Sequence, residues 1–412
     1  MIVRMATSKS RSLIDVTTLD TIGKYREYIR GLKDGGMVKL EMVFTRETFE
    51  IFETDFGSDT AGDYEIILPD DTTQSFYFQG FVKDLEIMIQ ADDYIGAQVG
   101  IKVTGPVVNT VTGTRTATSP ILLTIAYTGT EFAFKFKLPS SKSVKLNWGD
   151  GTSETVVGQD STLITKTSAY AGVGTYYFSV TGDALDLTYI DISAQAFVSG
   201  DVSGWSALTN LTHLYCSSTS VSGDVSSWSA LTNLTYLYCN FTSVSGDVSG
   251  WSALTNLAHL LCNSTSVSGD VSGWSALTNL TYLYCNSTSV SGDVSGWSAL
   301  TNLTLLRCYS TSVSGDVSGW SALTNLTYLR CYFTSVEFNG TTAWTMTGEI
   351  SLYSNGWTST MVDNSLAAFA GTPLTGCTIN VGGTNAARTA ASDADKAIII
   401  NPANSNTLTV NE

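Results

Sequence analysis

The sequence predicts a mainly β, multidomain protein whose second half is a solenoid, and three observations carry that prediction. Trp205, Trp228, Trp251, Trp274, Trp297 and Trp320 stand 23 residues apart. A fixed period in the twenties marks stacked coils, each of which buries its apolar face only against its neighbours. The chain is rich in Gly (36) and poor in Pro (6), with only 14% charged residues and abundant Val, Thr and Tyr, a balance that favours strands. Several runs before the repeat alternate apolar and polar residues, the period of a half-buried strand. At 412 residues, two or three domains are expected.

Charge and composition exclude several function classes. There are 21 Lys+Arg against 37 Asp+Glu, a formal net charge of −16, and no basic cluster of the kind that holds nucleic acid or anionic lipid. Only His213 and His259 are present, which disfavours His-based catalysis or a His-rich metal site. No nucleophile–base pair assembles from the sequence, so neither an enzyme nor a cofactor is expected. No apolar run approaches the ~18 residues of a membrane helix, so no membrane insertion is expected. Met1 to Ser12 is basic but has no apolar stretch, so no secretory signal is expected.

Residues 1–107 hold 11 basic and 18 acidic residues. Val38 to Phe44, Tyr64 to Leu68, Gln74 to Val82 and Gly96 to Val103 read as strands and Glu47 to Phe56 as a short helix, which fits an antiparallel barrel or sandwich with one helix. The runs Ile14-Asp-Val-Thr-Thr-Leu-Asp20, Arg26-Glu-Tyr-Ile29, Gly31-Leu-Lys-Asp-Gly-Gly36, Leu68-Pro-Asp70, Phe76-Tyr-Phe78, Gly80-Phe-Val82 and Val103-Thr-Gly-Pro106 follow one another. Together they resemble the major tail tube protein of long-tailed bacteriophages. That resemblance implies a virion protein of the phage tail, assembled in the bacterial host cytoplasm. Its subunits would form a homo-oligomer of hexameric rings stacked into a tube. It would meet other tail proteins (tape measure, terminator, baseplate), and DNA would pass its acidic lumen without specific binding.

Residues 108–118 read as a linker. The segment 119–183 carries Trp148-Gly-Asp-Gly151 and then Tyr170-x3-Gly174-x-Tyr176, a turn followed by an aromatic, β-branched strand. These motifs resemble the PKD family of immunoglobulin-like domains and imply a small β-sandwich there.

The repeat occupies 184–348. One unit, Leu277 to Ala299, reads LTNLTYLYCNSTSVSGDVSGWSA. Side chains alternate along a strand, so Leu283 and Cys285 point inward while Tyr282 and Tyr284 point out. The pattern resembles a leucine-rich repeat of the plant-type subclass, with Cys at the ninth-place Leu and Thr (Thr219, Thr242, Thr265, Thr288, Thr311, Thr334) at the ladder Asn. A Thr column replaces only part of an Asn network. Asp186 to Asp201 is a degenerate opening repeat. Residues 349–412 read as an α/β cap, with Asp363 to Ala370 and Ala386 to Lys396 helical and Leu374 to Val381 a strand. Such a cap prevents edge-to-edge sticking.

The scaffold is nearly constant from unit to unit while four places vary. The sixth reads His213, Tyr236, His259, Tyr282, Leu305, Tyr328; the eighth Tyr215, Tyr238, Leu261, Tyr284, Arg307, Arg330; the tenth Ser217, Asn240, Asn263, Asn286, Tyr309, Tyr332. The eleventh reads Ser218, Phe241, Ser264, Ser287, Ser310, Phe333. Drift on a solvated surface would admit Lys, Glu and Asp, and none occurs in these columns. Aromatic, amide and Arg groups suit recognition, so the concave face is a candidate ligand-binding surface for a host-surface or environmental glycan or protein. On this reading the repeats form an outward arm that decorates the tail; the alternative is a bacterial cell-surface adhesin or other non-enzymatic repeat binding protein. The Cys column reads as core filler. Asp201, Asp224, Asp247, Asp270, Asp293 and Asp316 form a candidate Ca²⁺ column, although Asp after Gly ordinarily closes a turn on a backbone amide.

Overall fold

The computed structural model describes residues 2–7, 10–15, 37–43, 62–67, 74–89, 95–103, 108–111, 121–371 and 374–412. It divides into two units, Met1–Thr118 and Ser119–Glu412. In the first, β1 (Ile2–Thr7), β2 (Ser10–Asp15), β3 (Met37–Val43), β4 (Gly62–Ile67), β5 (Gln74–Ile89), β6 (Ile95–Val103) and β7 (Val108–Val111) form one sheet. Its order is β2-β1-β4-β5-β6-β3, with β7 also on β5, and every pairing is antiparallel. The expected strands are β3 to β6. The expected helix Glu47 to Phe56 lies outside the described residues, as do most of the quoted tail-tube motifs. Where a linker was expected to begin, Val108–Val111 is a strand paired with Gln74–Tyr77, and three of its four residues, Val108, Thr110 and Val111, are β-branched, which suits a ladder.

The second unit opens with β8 (Ile121–Tyr127), β9 (Ala133–Lys137), β10 (Ser143–Asn147), β11 (Ser153–Val157), β12 (Ile164–Thr167) and β13 (Gly174–Gly182). Alternate residues of these strands, such as Ile121, Leu123, Ile125, Phe134, Phe136, Val144 and Leu146, are fully buried. The Trp148-Gly-Asp-Gly151 motif is the β10–β11 turn, in which Asp150 Oδ1 accepts the Thr152 amide at 2.8 Å. Gly149 has φ +84, and a Cβ there would lie 2.4 Å from the Tyr177 backbone, so only glycine fits. Tyr170 stacks on Tyr176 at 3.8 Å and donates its hydroxyl to the Trp148 carbonyl at 2.9 Å.

These motifs are real local structures, yet the expectation of an immunoglobulin-like domain is corrected. The sheets do not close on themselves. β8 pairs antiparallel with β15 (Val198–Asp201) and β9 with β14 (Tyr189–Asp191). One 11-stranded and one 12-stranded sheet thus run from this segment through the repeats. The segment covers the first coil's open backbone edges, which is how a solenoid end is protected.

Each coil contributes a short strand to each sheet and a 3₁₀ turn. In the unit at 277, these are Tyr282–Tyr284, Ser289–Asp293 and Ser295–Ala299. Successive strands pair in parallel; in the 12-stranded sheet equivalent residues are opposed, Leu283 against Leu306 for example, and in the 11-stranded sheet the register is offset by two, Gly292 against Val313. Between the sheets, the Leu, Val, Cys and Trp columns are all buried. Adjacent tryptophans from Trp205 to Trp320 stack 6.3–6.4 Å apart and within 8° of parallel. Each Nε1–H from Trp228 to Trp320 reaches the Val carbonyl of the coil before it, as Trp251 does to Val225 at 3.1 Å. This bond resolves the problem of burying an indole N–H. Trp205, with no full coil before it, has a buried Nε1 without a partner.

From Thr219 to Thr311 the Thr column bonds within its own coil, as when Thr265 donates to the Cys262 carbonyl at 2.7 Å, while Thr334 donates to Asn355 Oδ1 of the cap. The missing Asn network returns in the cap. Asn355 donates to the carbonyls of Cys331 and Leu352 and accepts from the Thr334 amide. Asn385 donates to Leu352 and Val381 and accepts from the Asn355 and Trp357 amides. The cap carries α1 (Ser359–Ala370) and α2 (Asp393–Ile399). It extends the 12-stranded sheet by Glu349–Ser351, Thr378–Asn380 and Thr407–Thr409.

Candidate recognition face

The sixth and eighth places lie on the 12-stranded sheet. Every strand from His213–Tyr215 to Tyr328–Arg330 buries its middle Leu and leaves its outer two side chains half-buried. In-register pairing sets His213, Tyr236, His259, Tyr282, Leu305 and Tyr328 in one row, and Tyr215, Tyr238, Leu261, Tyr284, Arg307 and Arg330 in the next. Neighbours in a row stand one strand spacing apart, ~4.8 Å, so their rings touch. His213 stacks on Tyr236 at 4.6 Å, Tyr215 lies 4.8 Å from Tyr238, and His259 meets Tyr282 edge-on at 4.2 Å. The Tyr238 hydroxyl and His259 Nδ1 are 2.7 Å apart. Burial lowers the pKa of both imidazoles, at His213 with help from Lys137. Burial likewise raises the phenols of Tyr215 and Tyr238.

Towards the cap the rows become cationic. The Arg307 guanidinium lies 4.5 Å from the Tyr284 ring centre and 4.9 Å from that of Tyr328. Arg330 lies 4.8 Å from Tyr328 and forms a two-pronged ion pair with Glu349 at 2.7 and 3.2 Å. Beside them Tyr309, Tyr332 and Tyr353 form a stack at 4.5 and 4.3 Å. Burial first, then the neighbouring Tyr353, pushes the Tyr332 phenol up to about 12.

The tenth place is not uniformly outward. Asn263 and Asn286 are buried. The eleventh place has a left-handed backbone in all six coils, φ +52 to +56. Phe241 and Phe333 occupy it with 56% and 53% of their surface exposed. A bulky residue at positive φ is uncommon, and an exposed one gives nothing to the core.

Three members of the face were invisible to the 23-residue count. Tyr189 precedes His213 in the first row and Asp191 precedes Tyr215 in the second, but their spacing to the next coil is 24. Tyr353 follows Tyr332 after 21. Alignment of Thr188-Tyr189-Ile190 with Thr212-His213-Leu214 was the available signal.

The other columns have structural occupations. In each of the six candidate Ca²⁺ aspartates, Oδ1 accepts the amide of the serine two residues on, at 2.8–2.9 Å. This bond depresses the carboxyls of Asp247, Asp270 and Asp293. Among the described residues no three His, Cys, Asp or Glu side chains are grouped to hold a metal. All seven cysteines are buried and free, and burial drives the Cys239 thiol up to about 12. Among the described residues no helix is long and apolar enough to cross a membrane.

Fold and face together define the second unit as a leucine-rich-repeat-like solenoid of parallel strands with a small helical cap. A family model described as "Mycoplasma protein of unknown function, DUF285" matches residues 186–297 and 232–347. None of the curated proteins matches the chain. Among solved structures, the leucine-rich-repeat ectodomain of the Arabidopsis thaliana receptor kinase GASSHO1/SCHENGEN3 is 15% identical over 49% of this chain and 25% of its own, TM-score 0.39. The functional domain of InlJ from Listeria monocytogenes, whose description includes a cysteine ladder, is 24% identical over 52% of this chain and 48% of its own, TM-score 0.37. The Listeria internalin InlF is 16% identical over 57% and 89%, TM-score 0.28. The chain thus spans about a quarter of the plant receptor and about half of InlJ.

These matches correct the tail-tube expectation. They fall to repeat proteins, and neither a phage tail tube nor an immunoglobulin-like domain is supported. The virion, hexamer and DNA-conduit readings lapse with that resemblance. Its motifs were short alternating runs and Gly/Asp turns, which any antiparallel sheet such as that of β1 to β7 produces.

Proposed function

We propose that this chain is a non-enzymatic binding protein, of the kind exemplified by bacterial surface adhesins, that recognises a protein or glycan through the outward rows of its 12-stranded sheet. One observation carries the reading: across nearly identical coils, variation is concentrated at the outward places, which are filled with Tyr, His and Arg. Tyr and Arg dominate interface energetics because they bring large area and hydrogen bonding at low entropy cost. The exposed Phe241 and Phe333 on the same rim support it. A glycan array and a protein pull-down with the full chain test the proposal. Binding should weaken about tenfold or more per hot-spot residue in Tyr236→Ala, Tyr282→Ala and Arg307→Gln. Binding that all three leave unchanged would exclude the face.

A further inference from the structure

Residues 184–412 contain four cations, Arg307, Arg330, Arg388 and Lys396, against 14 acidic residues. Three of the cations have carboxylates. Arg330 pairs with Glu349, Arg388 with Asp393 and Glu412, and Lys396 with Glu412. Arg307 has none among the described residues. It stands towards the cap end of the candidate face, in contact with the rings of Tyr284 and Tyr328. Its Nε is buried without a hydrogen-bond partner. In a region this acidic, an unpaired and partly desolvated guanidinium is the exception, because such a charge is stabilised by an anion close by. The rings hold the guanidinium in place, and its planar fork matches a carboxylate's two oxygens.

We propose that Arg307 anchors an Asp or Glu side chain of a protein segment laid along this face, an inference that rests on the face being the recognition surface. The state of the rings favours a polypeptide over a sugar. Pyranose rings pack on open aromatic faces, whereas His213–Tyr236 and Tyr309–Tyr332–Tyr353 stack on each other. Rings stacked face to face leave edges and hydroxyls for a partner, which suit peptide groups and side chains. Phe241 and Phe333 add apolar contacts at the rim, so the partner segment carries apolar residues beside its acid.

The test is selection of a displayed random-peptide library on the immobilised full chain, followed by affinity measurement with the enriched peptides. A shared Asp or Glu is expected. Changing it to Asn or Gln, or making Arg307→Gln in the protein, should each weaken binding about tenfold or more. The two changes together should cost little more than either alone, since they remove one interaction. Arg307→Lys should restore only part, because the stacked fork is lost. The peptide-side change is read against the unaltered protein, so it stands whether or not Arg307→Gln folds. Absence of enriched peptides, enriched peptides with no common acid, or equal binding by the amide peptide would overturn the inference. Peptides weakened by Tyr236→Ala and Tyr282→Ala but indifferent to Arg307→Gln would overturn it and leave the face standing. Indifference to all three would remove both.

Discussion

His213 and His259 are the residues whose protonation matters most between pH 5 and 8. Each is wedged among tyrosines: His213 between Tyr189 and Tyr236, His259 between Tyr236 and Tyr282. Burial lowers both folded pKa values below the ordinary ~6.5. The unfolded chain therefore binds protons first as pH falls. The stability associated with neutral imidazoles is complete above pH ~6.5 and is lost as pH drops through the lower folded values. Urea midpoints measured at pH 8 and pH 5 should fall, and the double variant His213→Gln/His259→Gln should show a smaller fall. An equal fall in the double variant would assign the effect to other groups. Glycine is equally constrained: a Cβ on Gly246, at φ +115, would lie 2.1 Å from Asp224 Oδ1 of the preceding coil.

At the scale of elements, each coil is held to the next by a repeated set of bonds. The Trp N–H, the strand ladders and the outer Asn column, in which Asn256 donates to the Thr232 carbonyl at 2.9 Å, all cross from one coil to its neighbour. The Thr column crosses only at its end, where Thr334 meets Asn355, so the coils before it lack the inner amide bridge that Asn355 and Asn385 supply at the cap. Asn385 is 3% exposed and makes four hydrogen bonds. Asn385→Ala removes the side-chain partner of the Asn355 and Trp357 amides and of the Val381 carbonyl, while Leu352 keeps its bond from Asn355, and a loss of about 2–4 kcal/mol is expected. Chemical denaturation with tryptophan fluorescence, following Trp357 and Trp344, measures it. A loss below 0.5 kcal/mol, the range of ordinary surface changes, would show that water replaces the bonds.

The second unit as a whole is quasi-one-dimensional, with each coil meeting only its neighbours between a sandwich-like cap and a helical cap. Removing one complete unit, Leu254 to Ala276, rejoins equivalent neighbours at an unchanged interface. Such a variant should keep its far-UV circular dichroism shape and cooperative unfolding, with somewhat lower stability. Removing only Leu254 to Ser264 leaves one coil without its strand and its Leu and Cys, so the inward columns and the 12-stranded sheet are interrupted there, and that variant should aggregate or unfold. Equal behaviour of the two deletions in circular dichroism and size-exclusion chromatography would show that the stack does not depend on whole coils.

The repeat, its buried columns and the outward sixth and eighth places were legible in the sequence because each follows from a fixed period combined with the twofold alternation of a strand, whereas the tenth place, at the strand's exit, is buried at Asn263 and Asn286. Sequence alone could not separate short turn and strand motifs from the families in which they are familiar. Local motifs report local geometry, so Trp148-Gly-Asp-Gly151 identified a hairpin and not the sheet that receives it. Only the tertiary structure decided that the antiparallel segment continues the solenoid's sheets, that Tyr189, Asp191 and Tyr353 extend the outward rows across off-period spacings, and that Arg307 alone among its region's cations has no carboxylate partner among the described residues. Each depends on which chain edges meet in space, and a one-dimensional period carries no information about that once it is broken.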